Sequence, residues 1–159
     1  MKTNTKPDTD TQERESTAEL KRFNYLNSEI NGQYHLAALK MGLSDSTMNI
    51  LYALCEFGNG CTQRDICNLS GTSKQTINSA IRKLEKEEII YLKPGNGRDM
   101  LVFSTEKGNH LLEEKIHPMI RLENEIFAEM TKTERDALLN LTQKYLDLFA
   151  EKLKNLETY

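Results

Sequence analysis

Between Thr62 and Ile90 the chain reads TQRDICNLSGTSKQTINSAIRKLEKEEII, and this stretch limits the fold more than any other. Thr62 with Asp65 three positions later is a capping-box pattern: the hydroxyl takes one orphan amide and the carboxylate returns to the cap amide. Ile66 and Leu69 are then expected to face inward before Gly71 ends a short helix. Ser73 caps a second helix, in which Ile77, Ile81 and Leu84 recur at spacings of four and three with Ala80 beside them, so that side belongs to a core. Gln75, Asn78, Ser79 and Arg82 lie roughly 100° to 200° round the helix from Ile77. Two short helices joined by a tight turn containing glycine make a helix-turn-helix, whose second helix enters the major groove of DNA. The outer face is richer in amides and hydroxyls than solvation alone requires. Asn and Gln bond bidentately to adenine and Arg to guanine, while Lys and Ser serve phosphates.

After that helix the period changes. In IIYLKPGNGRDMLVFST, Ile90 and Leu92 alternate on one side of KPGNGRD and Leu101 and Phe103 on the other, and Asn-Gly between two extended runs signals a hairpin. A hairpin directly after a recognition helix is a wing, with Arg98 near its tip suited to a minor-groove or phosphate contact. The expected DNA surface therefore has three parts. Thr62, Gln63 and Arg64 sit at the start of the first helix, where amides point outward. Ser73, Lys74, Gln75, Thr76, Asn78, Ser79, Arg82 and Lys83 belong to the second helix. Lys93, Asn96 and Arg98 belong to the hairpin.

Net charge, −3, argues against an anionic partner only until its distribution is read. From Thr62 to Arg98 there are seven bases (Arg64, Lys74, Arg82, Lys83, Lys86, Lys93, Arg98) against four acids (Asp65, Glu85, Glu87, Glu88). Residues 1–61 carry six bases and eight acids, and residues 99–159 carry eight and twelve. A central positive field flanked by acidic segments suits a protein that meets an anion with one face.

The rest of the 159 residues divides around that core. Residues 1–15 are polar, carry Pro7 and have no apolar period, which predicts a disordered tail. Residues 16–43 predict a long first helix, opened by Ser16 or Thr17, with Leu20, Phe23, Leu26, Ile30 and Tyr34 on one stripe. Residues 44–105 hold a second helix, capped by Ser44 and with Met48, Leu51, Leu54 and Cys55 buried, followed by the helix-turn-helix and wing. Residues 106–159 predict one long helix that Pro118 bends and a last one capped by Thr131 or Thr133. The apolar stripes at both ends exceed what a small core can cover, so a homodimer interface is expected there. The fold class is mainly α with a small β-hairpin.

Other chemistries leave no trace. There is no Gly-rich phosphate loop, paired-His metal motif or nucleophile elbow, so an enzyme is not expected. Neither is a cofactor. No apolar run approaches the roughly 18 to 20 residues that span a bilayer, and the polar start MKTNTKPDTD lacks a secretory signal's apolar stretch, which predicts a cytoplasmic protein. Cys55, Cys61 and Cys67, spaced by six, suggest neither a disulfide framework nor a zinc site and read as reduced packing thiols. His110 and His117 are about 10 Å apart along one helix, too far to share a metal, and His35 stands alone.

The order of helix, GLS, helix, TQRDI, SKQTINSAIRKLEKEEII, hairpin, STEKG and two terminal helices resembles the MarR family of bacterial transcriptional regulators over about residues 20–155. The resemblance implies a homodimeric winged-helix regulator, a repressor by expectation, on a pseudo-palindromic operator. It also implies a possible small-molecule effector, for which Tyr34, His35 and Tyr52 are the residues placed to line a cleft between the dimerisation helices and the core. Family members commonly carry Asp-x-Arg at the wing, where this chain has Asn96, Gly97 and Arg98. The competing class is a helical dimerisation or protein-interaction module without DNA binding.

Overall fold

The computed structural model describes residues 16–97 and 99–156; the expected tail over residues 1–15 and the position of Arg98 lie outside the described residues. Helix α1 (Ala18–Lys40) starts where the Thr17 hydroxyl accepts the Leu20 amide, and α2 (Asp45–Phe57) where Ser44 accepts that of Thr47. A two-residue strand β1 (Cys61–Thr62) leads into α3 (Gln63–Ser70), and the glycine turn into α4 (Lys74–Lys86). Strands β2 (Ile90–Pro94) and β3 (Met100–Ser104) form the hairpin. Then come α5 (Glu106–Leu111), a π-helical turn at Leu112–Ile116, α6 (His117–Glu129) and α7 (Lys132–Leu153). No helix among the described residues is long and apolar enough to cross a membrane.

One cluster joins the middle of the chain. Ile50 and Leu51 of α2, Ile66 of α3, Ile77 and Leu84 of α4, Ile90 and Val102 of the hairpin and Ile116 of the π turn are fully buried. All four expected inward residues of α4, Ile77, Ala80, Ile81 and Leu84, are in it. Each aliphatic side chain so buried stabilises by about 1.5–3 kcal/mol relative to exposure, so the outward face of α4 is fixed by the anchoring of its inward one.

The sheet has the order β1-β3-β2, all antiparallel. β1 was not legible in the sequence, since two residues cannot display an alternation. Ile90 pairs with Ser104 and Leu92 with Val102, so these four share the inward face. Leu101 and Phe103 do alternate, but on the opposite face, where Phe103 stacks on Tyr91 at 5.3 Å between ring centroids. The connection explains this: it is not a two-residue Asn-Gly turn but the segment Gly95 to Asp99, closed by the Gly95 amide donating to the Asp99 carbonyl at 2.8 Å. Loop length sets hairpin register, and a shift of one residue exchanges the faces.

One further expectation is corrected. Leu69 is 44% exposed rather than inward, because α3 is only eight residues long and Ile66 is its single buried residue. The helix expected from residue 106 onward runs without a gap to Glu129, with a π-helical turn at Leu112–Ile116 just before Pro118. Pro118 has no N–H, and its ring clashes with the carbonyl four residues before; the chain answers with a wide turn in which the His117 amide donates to Leu112.

Gly108, at the start of α5, lies directly against the Ile89 carbonyl, which also accepts the Thr105 amide at 3.0 Å. A methyl group there would be driven into that oxygen, so Gly108→Ala is expected to destabilise the fold by about 2–3 kcal/mol, the upper part of the overpacking range. Chemical denaturation checks this; an unchanged midpoint would mean α5 is free to shift.

The terminal helices stand apart. α1, α6 and α7 have 23, 13 and 22 residues, yet Ala38 is the only one among them that is buried. α1 and α7 touch through Phe23 and Tyr145, 4.6 Å between centroids. The remaining apolar stripes, including Ile30, Ile126, Leu139, Leu146 and Phe149, face outward.

Candidate nucleic-acid interface

The capping chemistry that places α4 is largely closed within the protein. Thr62 gives its hydroxyl to Asp65 at 2.7 Å and accepts that residue's amide at 3.1 Å, and the Asp65 carboxylate takes the Thr62 amide at 2.8 Å. Those bonds hold the Asp65 carboxyl below the usual range, with the Thr62 hydroxyl as the main cause. Gln63 turns its side-chain amide to the Lys74 carbonyl at 3.1 Å, tying α3 to the first residue of α4. Ser73 accepts the Thr76 amide, and the two hydroxyls bond each other at 2.9 Å. Ser79 returns its hydroxyl to the Gln75 carbonyl at 3.0 Å. Thr62, Gln63, Ser73, Thr76 and Ser79 thus set the helix ends and turns.

The outward side of α4 that remains is a strip of longer side chains. Lys74, Gln75, Asn78, Ser79 and Arg82 line one shallow depression, all exposed. Among the described residues, the side-chain amides of Gln75 and Asn78 make no hydrogen bond, and Arg64, Lys74 and Arg82 make no ion pair. Lys83 approaches Glu87 at 3.9 Å, an exposed pair of little strength. Beside the strip, Arg64 and Lys74 share a second depression with Leu92 and Met100 of the hairpin, so the wing adjoins the same surface.

Lys93 lies elsewhere. Leu92 faces α4, so by strand alternation its neighbour points to the other side. There the Lys93 ammonium sits 5.3 Å from the Tyr91 ring centroid and 4.9 Å from that of Phe103, within cation–π range. Asn96 is exposed in the turn. On the far flank of α4, Ser44, Ser46 and Thr47 at the start of α2 border Gln75, Ser79 and Lys83. The sequence marks Ser44 as a cap, and the run SDST, with hydroxyls at a helix N-terminus, is its signal for this flank.

A separate cleft of about 570 Å³ lies where α1, α2 and α6 meet, and Tyr34, His35 and Tyr52 all line it. At its centre is Glu123, to which Tyr34 donates at 2.5 Å and Tyr52 at 2.7 Å, one hydroxyl to each carboxylate oxygen. Burial and then the Glu123 carboxylate push the Tyr34 hydroxyl up to about 12 and raise that of Tyr52 as well, so both remain protonated donors. His35 is not alone: its Nδ1 is 2.9 Å from both oxygens of Asp45. Glu123 was missed because its partners are 89 and 71 residues away, beyond any local pattern. Among the cysteines, Cys61 is buried in β1 and burial pushes its thiol up to about 11. That disfavours the reactive thiolate.

A tri-helical core, a two-helix turn presenting a polar outer face and a three-stranded winged sheet define a winged helix-turn-helix protein. Residues 41–99 match the MarR family model. The match falls on the winged core. The chain is 26% identical over 130 residues, 77% of this chain and 94% of the relative, to an uncharacterized HTH-type transcriptional regulator, YwoH, of Bacillus subtilis (strain 168). Among solved structures it resembles NMB1585, a MarR family regulator from Neisseria meningitidis, with a TM-score of 0.78 and 17% identity, covering 87% of this chain and 99% of that one. It also resembles BpsR of Bordetella bronchiseptica, whose DNA binding is regulated by 6-hydroxynicotinic acid, with a TM-score of 0.60 and 19% identity, covering 78% and 98%. At these identities the solved structures establish the fold.

Proposed function

We propose that the protein is a sequence-specific, DNA-binding transcriptional regulator, a repressor by the simplest reading, that acts as a homodimer on a pseudo-palindromic operator in the cytoplasm and catalyses no reaction. The observation that carries this reading is the outward strip of α4. Gln75 and Asn78 present amides, and Arg82 a guanidinium, without a partner among the described residues, on one face of a helix whose other face is locked into the core. Such groups suit base edges; Lys74, Arg64 and the wing's Arg98 suit phosphates. The likeness to YwoH and NMB1585, both regulators, and to BpsR, a DNA-binding protein, supports it. On this reading residues 44–105 form the DNA-binding unit, residues 16–43 and 106–159 carry the dimer interface, and the cleft around Tyr34, His35 and Tyr52 is an effector site.

A salt titration with duplex DNA tests the reading. Log affinity should fall linearly with log salt, by about 0.9 per phosphate neutralised. Replacing one phosphate-contacting cation, Lys74→Ala, should weaken selected and random duplex alike and reduce the slope by about one. A flat salt dependence with weak binding to every duplex would sink the proposal.

A further inference from the structure

We propose that the cleft between α1, α2 and α6 takes an organic cation with an apolar aromatic body. This rests on the reading of that cleft as an effector site and adds the chemical class of the ligand that enters it. Two of the residues lining it, Glu123 and Asp45, are carboxylates, and among the described residues no Lys or Arg lines it. Its one basic side chain, His35, already turns Nδ1 to Asp45. The two phenolic donors are likewise committed, one to each oxygen of Glu123. An anion entering here would meet a carboxylate with its best donors taken. A cation would meet the reverse: a carboxylate has about four acceptor sites, and two of those on Glu123 remain open.

Beside the neutral polar Asn31, Asn49, Ser70 and Thr72, the lining offers surface for an aromatic body. Tyr34 and Tyr52 also line the cleft, and a cation over either ring face gains a second attraction from the ring quadrupole. Met48 and the exposed Leu69 add an adaptable apolar wall. Glu123 also joins three helices, since Tyr34 stands on α1, Tyr52 on α2 and the carboxylate on α6. A ligand that draws on Glu123 therefore acts on the junction between the terminal helices and the core. BpsR answers to an acid; the charge lining this cleft selects the opposite sign.

Calorimetry on the full chain with tetraphenylphosphonium and tetraphenylborate, ions of one shape and opposite charge, separates sign from size. The phosphonium is expected to bind at least tenfold more tightly than the borate. Glu123→Gln, which keeps the size and the hydrogen-bonding capacity, should lower phosphonium affinity at least tenfold. Asp45→Asn, whose carboxylate is already shared with His35, should lower it about threefold, and it serves as the second variant if the first unfolds. Equal or tighter borate binding overturns the proposal, as does phosphonium binding indifferent to both substitutions, or none at all. Duplex binding is measured on the same samples. DNA binding without phosphonium binding would end this inference and leave the regulator reading standing, whereas Glu123-dependent phosphonium binding without DNA binding would do the reverse.

Discussion

Asn78→Ala and Gln75→Ala are each expected to weaken binding to a duplex selected from a random pool by about 1–3 kcal/mol while barely changing affinity for random duplex. The two together should bring selected and random sequences close to one another. The expectation rests on the absence of internal partners for these side chains. Both are exposed, and their amides have no hydrogen-bond partner among the described residues, so neither serves the fold. A planar amide offers a donor and an acceptor side by side, which matches the adenine edge. Ser79 and Thr76 are the contrast: their hydroxyls are engaged with the Gln75 carbonyl and the Ser73 hydroxyl. Ser79→Ala should therefore cost less in specificity than either amide. Fluorescence anisotropy at fixed salt measures all three. If the amide variants keep both the selected sequence and its affinity, α4 is not reading bases.

How much of the fold was legible in the sequence depended on the range of the forces involved. Helix starts were legible because capping is local: Thr17, Ser44, Thr62, Ser73 and Thr131 each accept the amide three residues on. The buried stripe of α4 was legible for the same reason, since Ile77, Ile81 and Leu84 share one helix period. The hairpin was visible as a change of period, but its register was not, because five loop residues close it through a carbonyl bond that Asn-Gly alone does not specify. β1 required knowing that Cys61 comes beside Val102, a pairing across the whole helix-turn-helix.

The cleft was half legible. Tyr34, His35 and Tyr52 were named through the family resemblance, and they do meet in one cavity. Its charge was not foreseen, because Glu123 and Asp45 enter from elements whose approach is decided by packing. The candidate DNA surface was similarly mixed: the amides and bases of α4 stand outward, while Lys93 turns to an aromatic pair that only the register creates.

Leu139→Glu combined with Leu146→Glu is expected to convert a dimer into a monomer at micromolar concentration and, with it, to abolish tight operator binding. These leucines are seven residues apart on one side of α7 and are 57% and 56% exposed. They belong to the stripes left uncovered on α1, α6 and α7, three helices with one buried residue among them. Helices in proteins draw most of their stability from packing an apolar face, so these uncovered stripes call for a partner. A second copy supplies the same face by two-fold symmetry. Burying each leucine contributes about 1.5–3 kcal/mol per subunit, and placing a carboxylate there instead adds a desolvation cost, so two substitutions in each of two chains exceed what a micromolar dimer can lose. The effect on DNA is geometric. Two recognition helices on a two-fold axis read half-sites about 10 base pairs apart, and a monomer reaches one of them. Sedimentation and anisotropy together decide the matter. A variant that remains dimeric would move the interface to another face, and a monomeric variant that keeps its full operator affinity would remove the need for two-fold binding altogether.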